Sequence, residues 1–307
     1  MNRTKVKEAT ISADQSGQRL DNFLLRELKG VPKSRIYKMF RKGEVRVNKG
    51  RIKPSYKLNE GDIVRIPPVI IDSFKKELYI SDINKEKLKA SIIHEDSNLL
   101  VINKPAGLPV HAGSKLVYGV IEIARATFPN LENIELGHRL DRFTSGVLVM
   151  AKNRQTLIAF QAALGGAETT KSYLCLVKGK WPRDLRSVDL ALQRDRSGQH
   201  SKTIVSESGK DAKSSFEVID YYKNNSLLKV EIHTGRTHQI RVHTAATGYP
   251  VIGDDLYGDV ATNKRFAEMG LSRQFLHASY LQLPINDEVF VFNAPLADDL
   301  NQVLKAL

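Results

Sequence analysis

The sequence predicts an α+β protein in two parts. A small basic head lies near residues 15–66, a connecting stretch covers 67–90, and a larger unit over 91–307 is built on a mixed, largely antiparallel sheet with flanking helices. Three observations carry this. Charge is uneven: residues 1–66 hold 17 Lys and Arg against 7 Asp and Glu, and the rest of the chain holds 30 against 27. Helical spacing organises the head, whereas strand-like and helical segments mix irregularly from residue 91 onward. That mixture lacks the glycine-rich first turn of a dinucleotide-binding fold, which points away from a doubly wound parallel sheet.

In the head, "QRLDNFLLREL" (18–28) sets Leu20, Phe23, Leu24 and Leu28 at helical spacing. A second helix is predicted over "KSRIYKMFRKG", opening near Ser34 as N-cap and stopping at Gly43, with Ile36, Met39 and Phe40 inward. Arg35, Lys38 and Lys42 share one face of it. "EVRVN" alternates as a strand, "NKG" turns, and "DIVRI" is a second short strand. Pro67-Pro68 opens the connecting stretch. Beyond it, "NLLVINKP", "GVLVMAKN", "SYLCLVKG", "SLLKVEIH" and "EVFVFNAP" read as strands, and "QTLIAFQAAL" and "KRFAEMG" as helices.

A hydrophobic content of 41% and a charged content of 26% suit a globular chain. No apolar run is long enough to span a bilayer, and "MNRTKVKEAT" lacks the apolar core of a secretory signal. Cys175 is the single cysteine, so no internal disulfide forms and the cytoplasm is the expected compartment. A basic head on a nearly neutral body implies an anionic polymer as partner. No membrane partner is expected, and a monomer is.

Three stretches carry chemistry. In "GHRLDRFTSGVLVMAKN" (137–153), Asp141 stands between Arg139 and Arg142 at the mouth of a buried strand. It is either half of a structural ion pair or a carboxylate facing a cleft. Ser145 belongs to the turn, because "FTSGV" is not the G-x-S-x-G elbow of a serine nucleophile. In "HTGRTHQIRVHTAATGYPVIGDDLYG" (233–258), Gln239, Arg241 and His243 alternate with Ile240 and Val242, which reads as a strand. His233, His238 and His243 recur every five residues, but odd spacings alternate faces on a strand and no Cys or carboxylate pattern accompanies them. No metal site is expected. In "TTKSYLCLVKGK", Tyr173 sits on a strand between basic residues, where a core or interface ring is the commoner fate of an aromatic.

Residues 17–66 resemble the S4 (αL-type) RNA-binding domain over its whole length, including the R-L-D helix start and the G-x-V-x-V-N strand. From residue 92 to 300, "NKPAGLPVH", "GHRLDRFTSGVLVMAK", "KSYLCLVKG", "TGRTHQIRVH", "GDDLYG" and "FLHASYLQL" follow in order. On these motifs the chain is identified as a member of the RluA/RluC family of pseudouridine synthases. The resemblance implies conversion of uridine to pseudouridine in folded RNA, with no metal and no organic cofactor. The wording of the head, "GVPKSRIYKMFRKGEVRVNKGRIKPSYKL", points to members acting on large-subunit (23S) ribosomal RNA. The same resemblance makes Asp141 the catalytic residue, Tyr173 the ring that stacks on the target base, Arg241 the salt-bridge partner of Asp141, and Arg139 the residue that helps expel the nucleotide from its stack. In the head, Lys33, Arg35, Lys38, Arg41 and Lys42 suit phosphate contacts. The basic segment 192–209 receives no role.

The implied reaction breaks N1–C1′, turns the uracil and joins C5 to C1′. The base must leave its helix to react. One carboxylate suffices, as base or as nucleophile at the sugar, because nothing is hydrolysed; glycoside hydrolases use two. Water must be excluded, since its attack would leave an abasic site. Three rivals are kept: a transfer-RNA synthase of the same family, an RNA N-glycosidase, and a catalytically silent RNA-binding assembly factor.

Overall fold

The structure is a computed structural model that describes residues 2–28, 30–71, 79–112, 118–131, 133–195, 197 and 202–307. It divides into two compact units, Met1–Tyr79 and Ile80–Leu307.

The smaller unit contains β1 (Asn2–Arg3), β2 (Lys7–Thr10), α1 (Leu20–Glu27), α2 (Lys33–Arg41), β3 (Arg46–Val47), β4 (Gly50–Arg51), β5 (Ile63–Ile66) and β6 (Ile70–Ile71). Four strands form a sheet in the order β2-β5-β3-β4, and β1 pairs with β6. Leu20, Phe23, Leu24, Ile36 and Met39 from the two helices pack with Val47 and Val64 of the sheet. Asp21, from the R-L-D sequence, is buried and joins α1 to α2, accepting from Arg19 and from the Tyr37 hydroxyl at 2.7 Å each. Helix α2 starts before Ser34, with Pro32 at the N-cap. The β3–β4 turn places Asn48 and Lys49 at φ 49° and 66°, as a two-residue hairpin requires.

The larger unit contains α3 (Asp82–Ala90), β7 (Ile92–Glu95), β8 (Leu99–Lys104), α4 (Val120–Thr127), β9 (Glu135–Leu136), β10 (Ser145–Ala151) and α5 (Arg154–Leu164). It continues with β11 (Thr170–Lys178), β12 (Ser187–Asp189), β13 (Leu192–Asp195), β14 (Lys202–Val205), β15 (Lys213–Tyr222) and β16 (Asn225–Ile232). The chain ends with α6 (Gln239–Ala246), α7 (Val260–Glu268), β17 (Leu276–Ile285), β18 (Glu288–Asn293) and α8 (Asp298–Lys305). The main sheet runs β12-β15-β16-β11-β17-β10-β8-β7, with β18 on β17 and β9 on β10. Among the described residues its one parallel junction, β10 with β17, is short: Ser145 faces His277 and Gly146 faces Ala278. Strand β10 is buried throughout, with Leu148 and Met150 in one core and Val147 and Val149 in another. This is why its sequence is a continuous apolar run.

Two expectations change. Of the connecting stretch 67–90, Ile70–Ile71 pair with β1, while Ile80 and Leu88 of the α3 region are buried in the core of the larger unit; residues 72–78 lie outside the described residues. The segment around Arg241 is not a strand but the helix α6. Gln239 through Thr244 are all buried, so polar and apolar positions alternate in sequence without marking an inside and an outside. His238, at φ 57°, makes the left-handed step into this helix. The three histidines at five-residue spacing go to separate partners: His233 to Ser215, His238 to Tyr257, and His243 to Ser214 and the Leu190 carbonyl. Among the described residues no three His, Cys, Asp or Glu side chains gather as metal ligands. Among them, too, no helix is long and apolar enough to cross a membrane.

Candidate active site

Asp141 lies on the loop between β9 and β10, and that loop is fastened at nearly every residue. The buried Lys104 ammonium donates to the carbonyls of Pro105, Leu108 and Arg142 at 2.8, 2.9 and 3.1 Å. Arg142 does not turn toward Asp141. Its Nε donates to the Gly107 carbonyl at 2.8 Å, and its guanidinium lies over the Phe143 ring. Arg273, ion-paired with Asp299, donates to the Phe143 carbonyl, and Gln274 donates to the Thr144 hydroxyl at 2.9 Å. His138 accepts the Val149 N–H at 3.1 Å, and burial together with the Lys171 charge pulls its pKa down to about 4, so it stays neutral. Ser145 bonds His277 at 2.9 Å, but it is fully buried and its hydroxyl is out of reach of a substrate in the cavity.

The catalytic candidate is held from across the chain. Arg241, on the first turn of α6, donates Nη1–H to Asp141 Oδ2 at 3.1 Å. Its other edge is taken by Asp254 of "GDDLYG": Nε to Oδ2 at 2.6 Å and Nη2 to Oδ1 at 2.8 Å. The guanidinium is thus clamped bidentately on one side and offers one N–H on the other. Burial opposes its charge, but Asp254 and then Asp141 outweigh burial and raise its pKa. Burial would likewise protonate Asp254, yet Arg241 and the backbone N–H groups of Leu256 and Tyr257 hold its pKa below the ordinary carboxylate value. Asp141 Oδ2 also has His238 Nε2 at 3.8 Å. Among the described residues Oδ1 of Asp141 has no hydrogen-bond partner.

Tyr173 is on β11, at a register shift between Ser172 and Tyr173 in the pairing with β17. Such bulges re-aim side chains. Burial, then the Asp141 charge, pushes its phenol pKa up, so the ring stays neutral. Tyr173, Asp141, Arg139, His238 and Arg241 line one cavity of about 420 Å³, a size suited to a small planar ligand. Asp141 is the one carboxylate among the described residues lining it. Arg139 is exposed and has no ion-pair partner among the described residues. In the smaller unit Lys33, Lys38, Arg41 and Lys42 are exposed along and just beyond α2, whereas Arg35 is half-buried and paired with Glu44 at 3.2 Å.

Sequence reasoning singles out Asp141, Tyr173, Arg241 and Arg139, and these line the cavity together. It assigns nothing to Asp254, His238, Tyr257 or Lys104, although "GDDLYG" and "NKPAGLPVH" contain three of them. The signal available was the motif itself; the partner of each residue is visible only in three dimensions.

A single guanidinium-bound carboxylate lies beside a neutral tyrosine in a chain that also carries a basic helix-and-sheet head, a combination that suits an enzyme acting on RNA. Comparison with known proteins narrows this class. The S4 domain matches residues 18–64, and RNA pseudouridylate synthase matches residues 98–246. The chain belongs to the RNA pseudouridylate synthase family. It is 46% identical to the ribosomal large subunit pseudouridine synthase C of Haemophilus influenzae, over 99% of this chain and 96% of that one. It is also 46% identical to the protein of that name from Escherichia coli K12, over 98% and 97%. Among solved structures, human RNA pseudouridylate synthase domain containing 4 superposes with a TM-score of 0.60 at 24% identity, covering 73% of this chain and 95% of that one; this is a likeness of fold.

Proposed function

We propose that this chain converts specific uridines of large-subunit ribosomal RNA to pseudouridine, with Asp141 acting at the ribose. One observation carries the reading: Arg241 holds Asp141 through Oδ2, leaving Oδ1 unengaged in a cavity walled by Tyr173. The choice of RNA is supported by relatives named for the large ribosomal subunit that align over nearly the full chain, head included.

Each residue then has work that its geometry suits. The target uridine leaves its stack, and Arg139, exposed on the cavity rim, takes the place the base vacates. Tyr173 stacks on the uracil. Oδ1 of Asp141 meets the sugar, either as base or as nucleophile, and in both routes it must be ionised and fixed in direction. Arg241 favours the charged form against desolvation, and Asp254 fixes Arg241. The N1–C1′ bond breaks with its electron pair on uracil, the ring turns, and C5 joins C1′. C5 then loses its proton and N1 gains one. Atoms and electrons balance within the substrate, so the reaction calls for no oxidant or reductant. All these residues come from one chain, which suits a monomer acting on ribosomal RNA in the cytoplasm.

The test is carbodiimide primer extension on ribosomal and transfer RNA from cells lacking the gene, with and without complementation. Loss of defined stops in large-subunit RNA, restored by the wild-type gene and not by Asp141→Asn, is expected. Unchanged large-subunit RNA with stops lost from transfer RNA would move the substrate to the other branch of the family.

A further inference from the structure

His238 lines the cavity within 4 Å of Asp141 and has no part in the chemistry above. Its Nε2 stands 3.8 Å from Asp141 Oδ2, and its Nδ1 lies 2.9 Å from the Tyr257 hydroxyl. That hydroxyl already accepts the backbone N–H of Thr203 at 2.8 Å. Thr203 belongs to β14, half of the β13–β14 hairpin within the basic stretch that the sequence left without a role. The backbone N–H can only donate, so the hydroxyl oxygen accepts there. Its own hydrogen is then available to His238 Nδ1, which faces it. Nδ1 is then the acceptor, and the neutral imidazole carries its proton on Nε2, the nitrogen toward Asp141. Burial, exceeding the pull of Asp141, lowers the His238 pKa, and burial raises that of Tyr257, so both groups keep the states this chain of bonds needs.

We infer that His238 is a positioning residue for Asp141: with Tyr257 and the Thr203 backbone it presents an N–H to the same oxygen that Arg241 holds, so that Oδ1 alone is left to react. The inference rests on the reading of Asp141 given above and adds a second hand to it. At 3.8 Å the contact is longer than a hydrogen bond, and it becomes one when substrate fills the cavity. The strained left-handed backbone at His238 supports this role, because a fixed φ of 57° places the ring at the head of α6 beside Arg241. The charged groups around the ring are Asp141 and Arg139 from the loop before β10, Arg241 from α6 and Asp254 from the turn after it, with the Tyr257 phenol closing the far side. A neutral donor suits this setting better than an imidazolium, which would compete with Arg241 for the same carboxylate. The arrangement also makes the seating of the hairpin a condition for aligning Asp141.

The experiment uses the full-length protein and large-subunit ribosomal RNA transcript labelled with tritium at uridine C5. Single-turnover release is measured against enzyme concentration for wild type, His238→Gln, His238→Leu and Tyr257→Phe, across pH. His238→Leu should lower the rate constant at saturation by about tenfold to a hundredfold, the scale of a misplaced reacting group, with the RNA affinity changed by less than about twofold. His238→Gln, which keeps an N–H, should recover much of that loss. Tyr257→Phe should fall between them and alter the acid limb of the pH profile, because Nδ1 loses its donor. Imidazole-nitrogen NMR of the free protein should show the proton on Nε2 in wild type and a mixture of tautomers in Tyr257→Phe. A wild-type rate in His238→Leu, a loss confined to affinity, His238→Gln no better than His238→Leu, or a wild-type proton on Nδ1 would each overturn the inference. If wild type itself releases no tritium, the ribosomal RNA reading fails, and the NMR still decides the His238 proton.

Discussion

Asp141, Arg241 and Asp254 form a line of alternating charge, and the line explains why Asp141 lies near two other arginines without pairing with either. Arg139 faces outward and Arg142 braces the loop, so the charge that matters comes from a residue 100 positions away. We predict that Asp141→Asn abolishes tritium release while RNA affinity stays within about tenfold, roughly 1.4 kcal/mol; measurable turnover by this variant would sink the assignment. Arg241→Lys should lose most activity. An ammonium cannot hold Asp254 bidentately and reach Asp141 at once, and near-normal turnover would mean that charge alone suffices. The pH dependence of stability follows from Asp254. Its folded pKa is depressed by Arg241 and two backbone N–H groups. Its contribution is therefore fully present above the ordinary carboxylate pKa of about 4, and is lost as pH falls through the lower folded value. Urea unfolding between pH 6 and 3 (roughly that carboxylate range) should show wild type losing stability toward acid, with a shallower loss in Asp254→Asn. Parallel curves would place the acid sensitivity elsewhere.

At the scale of elements, the site depends on the short parallel junction of β10 with β17. Gly146 sits there at φ +114°, and an added Cβ would collide with the Ala278 carbonyl. Gly248, at φ +88°, has open space around it. Gly146→Ala should therefore cost about 3 kcal/mol or more in urea unfolding, against about 1–2 kcal/mol of backbone strain alone for Gly248→Ala. Equal losses would show that the junction relaxes. The same region shows what a sequence reveals and what it hides. Helices α1 and α2 and strand β10 are legible because their burial follows local period: one apolar stripe on each helix, and an unbroken apolar run in a strand covered on both faces. Helix α6 is not legible, because Gln239, Arg241 and His243 are buried as deeply as Ile240 and Val242. Their partners, Ser214, Asp254 and Leu190, come from other elements. The site divides likewise. Asp141, Tyr173 and Arg241 stand in motifs dense enough to identify a family. The bracing of the loop by Lys104 joins residues 38 positions apart, and no local pattern marks it.

At the scale of the whole molecule, we propose that labour is divided along charge. The site residues all lie in Ile80–Leu307, which has its own cores, while the excess of Lys and Arg lies in residues 1–66. Lys33, Lys38, Arg41 and Lys42 are exposed around α2 and available to phosphate; Arg35 is engaged by Glu44 and should contribute less. Phosphate contacts give affinity and register without reading sequence, and each releases counterion. A chain beginning at Tyr79 keeps Ile80 and Leu88 in their core and should fold with Asp141, Tyr173 and Arg241 in place. We predict that it binds large-subunit RNA more weakly and with a shallower salt dependence, the slope falling by about 0.7–0.9 for each phosphate that the head no longer neutralises. It should still release tritium at saturating enzyme. The measurement is single-turnover release against enzyme concentration, for the full and shortened chains, at two ionic strengths. A shortened chain that is folded by circular dichroism yet inactive at saturation would show that the head takes part in the chemical step. An unchanged salt slope would show that the cations binding the RNA lie in the larger unit, where Arg139, Arg236 and Lys210 are exposed on or beside the cavity.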